Sequence, residues 1–365
     1  MMNETTAMRS RMTGRRFRIA IGRSPGQRGH RAAILALLAV AVVVCGVAAA
    51  SAGAVRIPIG EVLAAAFAPV GKLFGLSFGG QGGRGGLAAD HAAVLYSIRF
   101  PRVVLAAIVG GALAMAGAGM QGLFRNPLAD PALIGASSGA ALAVAFTIVL
   151  GNAVMPGFTN TLGPYALPVA AFCGCLAATF AVKRLASSAQ IVSIGAMLLA
   201  GVAVNLACEA GINAMTFAAN DEQLRNLTFW RMGSLAGASW PLCAVAAVCA
   251  ALGGIVMWRC AAGLNALSMG EEPASHAGFD VRSLSRRTVI AGALLVAAAV
   301  ASAGMVWFVG LVAPHVVRLL GGADQRYVMP ASLLLGSALV LVADLVARVV
   351  VIPAELPIGV PLALF

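Results

Sequence analysis

The sequence predicts an all-α fold, a polytopic bundle of transmembrane helices, and three observations carry that expectation. The chain of 365 residues is 60% hydrophobic and only 10% charged. Its mean hydropathy is +0.92. Its apolar residues also recur in runs of about 20, the length an α-helix needs to cross a bilayer. A soluble domain of this size would carry far more surface charge. The net charge of +12 does not point to nucleic acid, because eight of the 25 basic residues lie between Arg9 and Arg31, directly before the first apolar run. Residues 1–31 therefore read as a disordered cytoplasmic tail that orients the chain by the positive-inside rule. Residues 32–365 form the membrane domain.

The first run, Ala32–Ala50, follows basic residues as a signal peptide does. It is long for such a peptide and several spans follow it, so it reads as a retained helix over 32–54. Further helices are expected near 101–121, 133–150, 166–182, 190–217, 240–259, 288–308 and 328–350. Gly304, Gly310 and Pro314 interrupt the run before Pro314–Leu320, which suits a half-span. The stretch 71–89 is glycine-rich and reads as a flexible loop, Asn220–Trp240 is polar, and Arg259–Arg287 is charged. Alternation from a cytoplasmic N-terminus puts 122–132, 183–189, 260–287 and 321–327 inside. It leaves 55–100, 218–239 and the region after Arg348 outside.

Seven cysteines lie mostly within apolar runs and show no metal-ligand spacing. Cys173 and Cys175 are two apart and so point to nearly opposite helix faces; buried free thiols are expected. No G-x-x-x-x-G-K-[ST] occurs, and no Ser-His-Asp set, so neither ATP hydrolysis nor covalent chemistry nor a cofactor is expected of this chain.

Three polar residues share a face of one span. Asn205, Glu209 and Asn213 stand at i, i+4 and i+8. A carboxylate inside a span is costly and faces protein or a water-filled cavity, so the stripe either lines a pathway or forms an interhelical hydrogen-bond cluster. Arg99, Arg102 and Arg348 fall at the outer ends of spans, where they snorkel to lipid headgroups or serve a partner.

The loop Gln121-Gly-Leu-Phe-Arg-Asn-Pro-Leu-Ala-Asp-Pro-Ala-Leu-Ile-Gly-Ala-Ser-Ser-Gly139 separates two spans. Its prolines stop one helix and stiffen the turn. Gly135 and Gly139 open the next helix with a small-xxx-small spacing suited to close helix packing. With it go Ser97-Ile-Arg-Phe-Pro-Arg102, Trp230-Arg-Met-Gly-Ser-Leu235, Phe308-Val-Gly-Leu-Val-Ala-Pro-His-Val-Val-Arg318 leading to Gly322-Ala-Asp-Gln-Arg326, and Ala343-Asp-Leu-Val-Ala-Arg348 followed by Glu355-Leu-Pro-Ile-Gly359. In order and spacing, from about residue 95 to 360, these segments resemble the FecCD-type family of ABC importer permeases, which carry iron–siderophore complexes, haem and cobalamin.

The resemblance implies a type II importer plan of ten helices, homodimeric, in the bacterial inner membrane. It also implies two cytoplasmic ATPase subunits and a periplasmic binding protein as partners. On this reading Asn205, Glu209 and Asn213 line the substrate pathway, while Arg99, Arg102 and Arg348 face carboxylates of the binding protein. The segment Leu267–Arg282, with Met269, Gly270, Glu271, Ser275, Gly278 and Arg282, resembles the coupling helix that enters a groove of the ATPase. Pro273 and Ala277 depart from its usual form. The segments 123–130 and 220–235 look most like haem members, ahead of ferric siderophore and cobalamin permeases. Relatives of this type continue past Glu-Leu-Pro-Ile-Gly into a last membrane helix, whereas Phe365 stands six residues after Gly359. The expectation is therefore a ten-helix plan without its last helix, read either as a shortened permease or as a non-functional truncated product. An ion-coupled secondary transporter would need paired intramembrane carboxylates, against which the lone Glu209 argues. A membrane-embedded enzyme would need an acid/base or metal set at one membrane face.

Overall fold

In hydrocarbon a backbone N–H or C=O finds no water, so a chain this apolar must satisfy its main chain within each segment, and helices do so. A computed structural model describes residues 25–53, 55–73, 89–186, 194–351 and 354–364, and among these residues there is no strand. The tail through residue 24, the glycine-rich stretch 74–88 and positions 187–193 lie outside the described residues.

The helices, in chain order, are α1 (Pro25–Ser51), α2 (Ile59–Leu73), α3 (Ala89–Val94), α4 (Phe100–Phe124), α5 (Ala136–Val154), α6 (Pro156–Leu162), α7 (Ala166–Ala186) and α8 (Ile194–Ala218). There follow α9 (Asp221–Met232), α10 (Trp240–Leu267), α11 (Glu271–His276), α12 (Val281–Ala303), α13 (Val309–Gly321), α14 (Gln325–Val349) and α15 (Gly359–Ala363). Eight helical stretches among the described residues are long and apolar enough to cross a membrane, and each covers one of the expected spans. The half-span is α13, with Pro314 inside it.

Several features differ from expectation. The region 55–100 is not simply a loop: it contains α2, and α3 runs through a π-helical turn at Leu95–Arg99 into α4. The charged stretch 260–287 is mostly helix. α10 continues to Leu267 because Cys260, Ala261, Leu264 and Leu267 are buried, with Leu284 and Phe279 packed onto Gly263. α12 starts at Val281, where Asp280 caps it by accepting from the N–H groups of Arg282 and Ser283. The connection between the two is therefore only 268–280. Gly135, expected to help helices approach, instead adopts φ +76° between a 3-10 turn (Pro131–Ile134) and α5. Gly139 does make the close contact, against the backbone of Gly174 on α7.

At the centre α4 packs against α10, α12, α13 and α14, while α5, α7 and α8 form a second group joined to the first through α12. Helix α1 lies against α14. Outward faces remain apolar, as at Leu199 and Leu206 of α8 or Val245 and Leu252 of α10. One close crossing joins α4 to α14. A Cβ on Gly110 would stand 2.2 Å from the carbonyl oxygen of Gly336, and one on Gly336 would stand 2.4 Å from that of Gly110. Backbones that touch in this way leave no room for a side chain. We expect Gly336→Val to cost about 1–3 kcal/mol or more and to lower the unfolding midpoint in detergent, while Gly237→Ala, in open space, leaves it unchanged. Equal midpoints for both variants would refute this account of the crossing.

Candidate functional site

At one end of the bundle, α1 stops at Ser51 with no basic residue in its own last turn. Its terminal carbonyls need donors. Arg99 supplies them to Ala50, Ser51 (2.8 Å) and, just beyond, Val55. Arg348 does so for Ala49 (2.9 Å) and Ala52 (3.3 Å). Arg102 donates from Nε to Asp344 Oδ1 at 2.9 Å and from Nη1 to both oxygens of Glu355 at 3.0 and 2.9 Å. The Arg348 Nε lies 3.0 Å from Asp344 Oδ2, close enough for an ion pair though not aligned as a hydrogen bond. The side chains of Arg102 and Asp344 are 9% and 2% exposed, against 45% for Glu355. The arginines expected on the outer rim are thus turned inward, because a helix end and a buried carboxylate both demand them. Of this cluster only Glu355 presents charge to the exterior.

In the middle, α8 carries the polar stripe along its partly exposed side. Asn205 donates to the carbonyl of Ala132 at 3.3 Å, while its Oδ1 is buried without a hydrogen-bond partner. Glu209 is paired at 3.5 Å with Arg231 of α9, both side chains more than a third exposed. Asn213 is exposed. Helix α9 is held in place by a capping box at Asn220 and Gln223, whose amide also donates to the carbonyls of Ile148 and Val149. Past α9, Gly233 turns at φ +74° and joins the end of α12 and the Leu-Pro-Ile-Gly segment through Ser234 N–H to Ala303 and Ile358 N–H to Gly233.

At the opposite end Arg31 donates to Asp324 (3.2 Å) and to the carbonyl of Gly321 (2.8 Å), and it lies over the ring of Tyr327. Asn265 bridges Asp324 and the N–H of Gln325. Arg318 donates to Gln121 and to the carbonyl of Ala118, tying α13 to α4. In the loop after α4, Asp130 caps the 3-10 turn through Ala132 N–H at 2.7 Å. Burial pushes its carboxyl up from the usual range, and that hydrogen bond opposes the shift.

The segment 268–280 stands off this end. Gly270 (φ +123°) and Gly278 (φ +87°) bracket α11, and Pro273 lies in its first turn, where a missing N–H is harmless. Only Ala274 of α11 is buried. Met269 is 76% exposed, and Glu271, Ser275, His276, Gly278 and Arg282 also face outward. Glu271, Ser275, Phe279 and Arg282 share a depression of about 480 Å³.

The chain as a whole is similar to known proteins. A profile of the FecCD transport family matches residues 35–365. The chain belongs to the FecCD transport family. It is 42% identical over 269 residues to the hemin transport system permease protein HmuU of Yersinia pestis, covering 72% of this chain and 77% of that protein. It is 37% identical over 268 residues to the vitamin B12 import system permease protein BtuC of Serratia proteamaculans, covering 73% and 77%. The fold matches a solved inward-facing ABC transporter, described as being of the metal-chelate type, with TM-score 0.77 and 26% identity over 92% of this chain and 96% of that one.

In this FecCD-family chain, sequence reasoning missed the partners of the residues it chose. Asp344 and Arg348 are i and i+4 on one helix, a legible signal. Arg231 beside Glu209 and Arg31 beside Asp324 join distant segments and left none. Removing one member of a buried pair strands the other. We expect Arg102→Ala to cost about 3–5 kcal/mol in thermal unfolding, because Asp344 keeps only the misaligned Arg348. The double change Arg102→Met with Asp344→Leu should recover part of that loss, since Arg348 then lacks its carboxylate. A double variant no more stable than the single one would rule out an under-compensated Asp344 as the cause.

Proposed function

We propose that this chain is the membrane-spanning permease of an ATP-driven importer of haem. The observation that carries this reading is the family match over residues 35–365 together with the 42% identity to a hemin permease. Cobalamin is the second reading, favoured by the 37% identity to vitamin B12 permeases. Two copies form a homodimer in the bacterial inner membrane, each N-terminus cytoplasmic, with an ATPase subunit on each copy and a periplasmic binding protein outside.

Asn205, Glu209 and Asn213 line the pathway. Their partly exposed face of α8 suits a polar channel completed by the second copy, and Arg231 balances Glu209 so that the wall carries little net charge. At the outer end, docking of an acidic partner draws on Arg102 and Arg348 by exchange with the half-exposed Glu355, while Arg99 holds the end of α1. At the inner end, Met269, Gly270, Glu271, Ser275, Gly278 and Arg282 form the contact with the ATPase. Its movement reaches the bundle through the short helix between two left-handed glycines.

Reconstituted with its ATPase and binding protein, the chain is expected to support ATP hydrolysis stimulated by haem-loaded binding protein more than by the empty form. Cobalamin-loaded protein giving the larger stimulation would reverse the substrate order. Uptake driven by an ion gradient without ATP would support a secondary transporter instead. Within the same assay Met269→Asp, which places a charge on an exposed apolar contact, should cut co-purification of the ATPase at least about tenfold, the weight of about 1.4 kcal/mol at an interface anchor. Unchanged co-purification would remove this segment from the interface.

A further inference from the structure

A groove on the side of the bundle away from the pathway has no role in transport as described above. It lies between α1, α4, α10, α12 and α14 and encloses about 630 Å³, within the range of about 300–1,000 Å³ typical of ligand sites. Its walls are hydrocarbon, as at Val42, Ala107, Ala251, Ile255 and Leu334. The hydroxyl of Ser337 in the wall already donates to the carbonyls of Ala107 and Leu333 at 2.7 and 2.9 Å. Such a cavity is a poor host for water, which needs two or more polar partners. No residue of α8 lines it.

One end of the groove is different. Trp258 and Arg259 close it. Both are exposed. Arg259 makes no hydrogen bond or ion pair among the described residues. Helix α10 continues for eight residues beyond Arg259, about 12 Å at the helical rise, and emerges at the connection that carries α11. The pair therefore sits at the inner boundary of the bilayer, where tryptophan and arginine meet headgroups. The groove runs from there toward mid-membrane along α4 and α12.

We propose that this groove binds one anionic phospholipid of the cytoplasmic leaflet, its acyl chains against α4, α10 and α14 and its phosphate on Arg259. The apolar wall selects hydrocarbon, and the unpaired guanidinium at the headgroup level selects negative charge. The lipid would fill a gap between the weakly packed α1 and the core, and it lies one helix away from the coupling segment.

Native mass spectrometry of the full chain, purified in mild detergent and given phosphatidylglycerol or phosphatidylcholine with identical acyl chains, tests this. The expected result is a single retained phosphatidylglycerol in preference to phosphatidylcholine. Arg259→Gln should lower that preference about fivefold, the weight of one basic residue at an anionic surface. Arg326→Gln, an exposed inner arginine outside the groove, should leave it unchanged. Ala251→Phe should displace the lipid by filling the wall; if that variant folds poorly, Ala247→Leu serves for the same readout. Equal retention of the two lipids by the wild type, an Arg259→Gln preference like the wild type's, or persistence of the adduct in a folded groove-filled variant would each overturn the proposal.

Discussion

The crossing of α4 and α14 at Gly110 and Gly336 sets the register on which the charged sites depend. The two helices run antiparallel, so equal steps from the contact reach facing residues. Eight residues toward the start of α4 and the end of α14 lead to Arg102 on one helix and Asp344 on the other, and these are the pair found at 2.9 Å. Twelve residues the other way on α4 is Gly122, and eleven on α14 is Gln325, whose amide nitrogen lies 2.7 Å from where a Cβ on Gly122 would stand. A side chain at the crossing would push the helices apart and undo both ends together. Small residues at membrane helix contacts are usually discussed as packing devices; here they also align charge.

The charges so aligned serve the fold. Arg99 and Arg348 supply the donors that the last turn of α1 lacks, and Arg31 returns the other end of that helix to α13 and α14. Helix α1 has little burial of its own, so these polar ties carry much of its attachment. By contrast the stripe on α8 is left half open, with a buried acceptor on Asn205 unmet. The closely packed α4, α12 and α14 thus stand in one group, apart from a helix whose polar contacts are incomplete.

The motifs that signalled the family proved to be joints. The loop after α4 ends in a capped 3-10 turn and a left-handed Gly135. Trp230–Leu235 meets the end of α12 and the Leu-Pro-Ile-Gly segment through two backbone hydrogen bonds. The segment 308–326 holds α13 and the start of α14. Motif and joint coincide because irregular backbone inside a membrane must be satisfied by specific neighbours, and that requirement restricts residue type more than an apolar face does.

The spans were legible in the sequence because the length and hydropathy of a membrane helix are local properties, set by the bilayer and not by neighbours. The same holds for the glycine brackets of 268–280 and for the single face shared by Asn205, Glu209 and Asn213. What the sequence could not show was where each arginine would find its partner. The pairs Arg31–Asp324, Arg102–Glu355 and Arg231–Glu209 span separations from 22 to 293 residues, and no local periodicity encodes them. Helix ends at Leu267 and Val281 also escaped notice, since charged residues there looked like loop until packing of Phe279 and Leu284 on Gly263 made helix the better solution. Hydropathy alone settled which segments cross the membrane. Only the tertiary packing decided which way their charges face, because a buried charge is placed by what lies across from it.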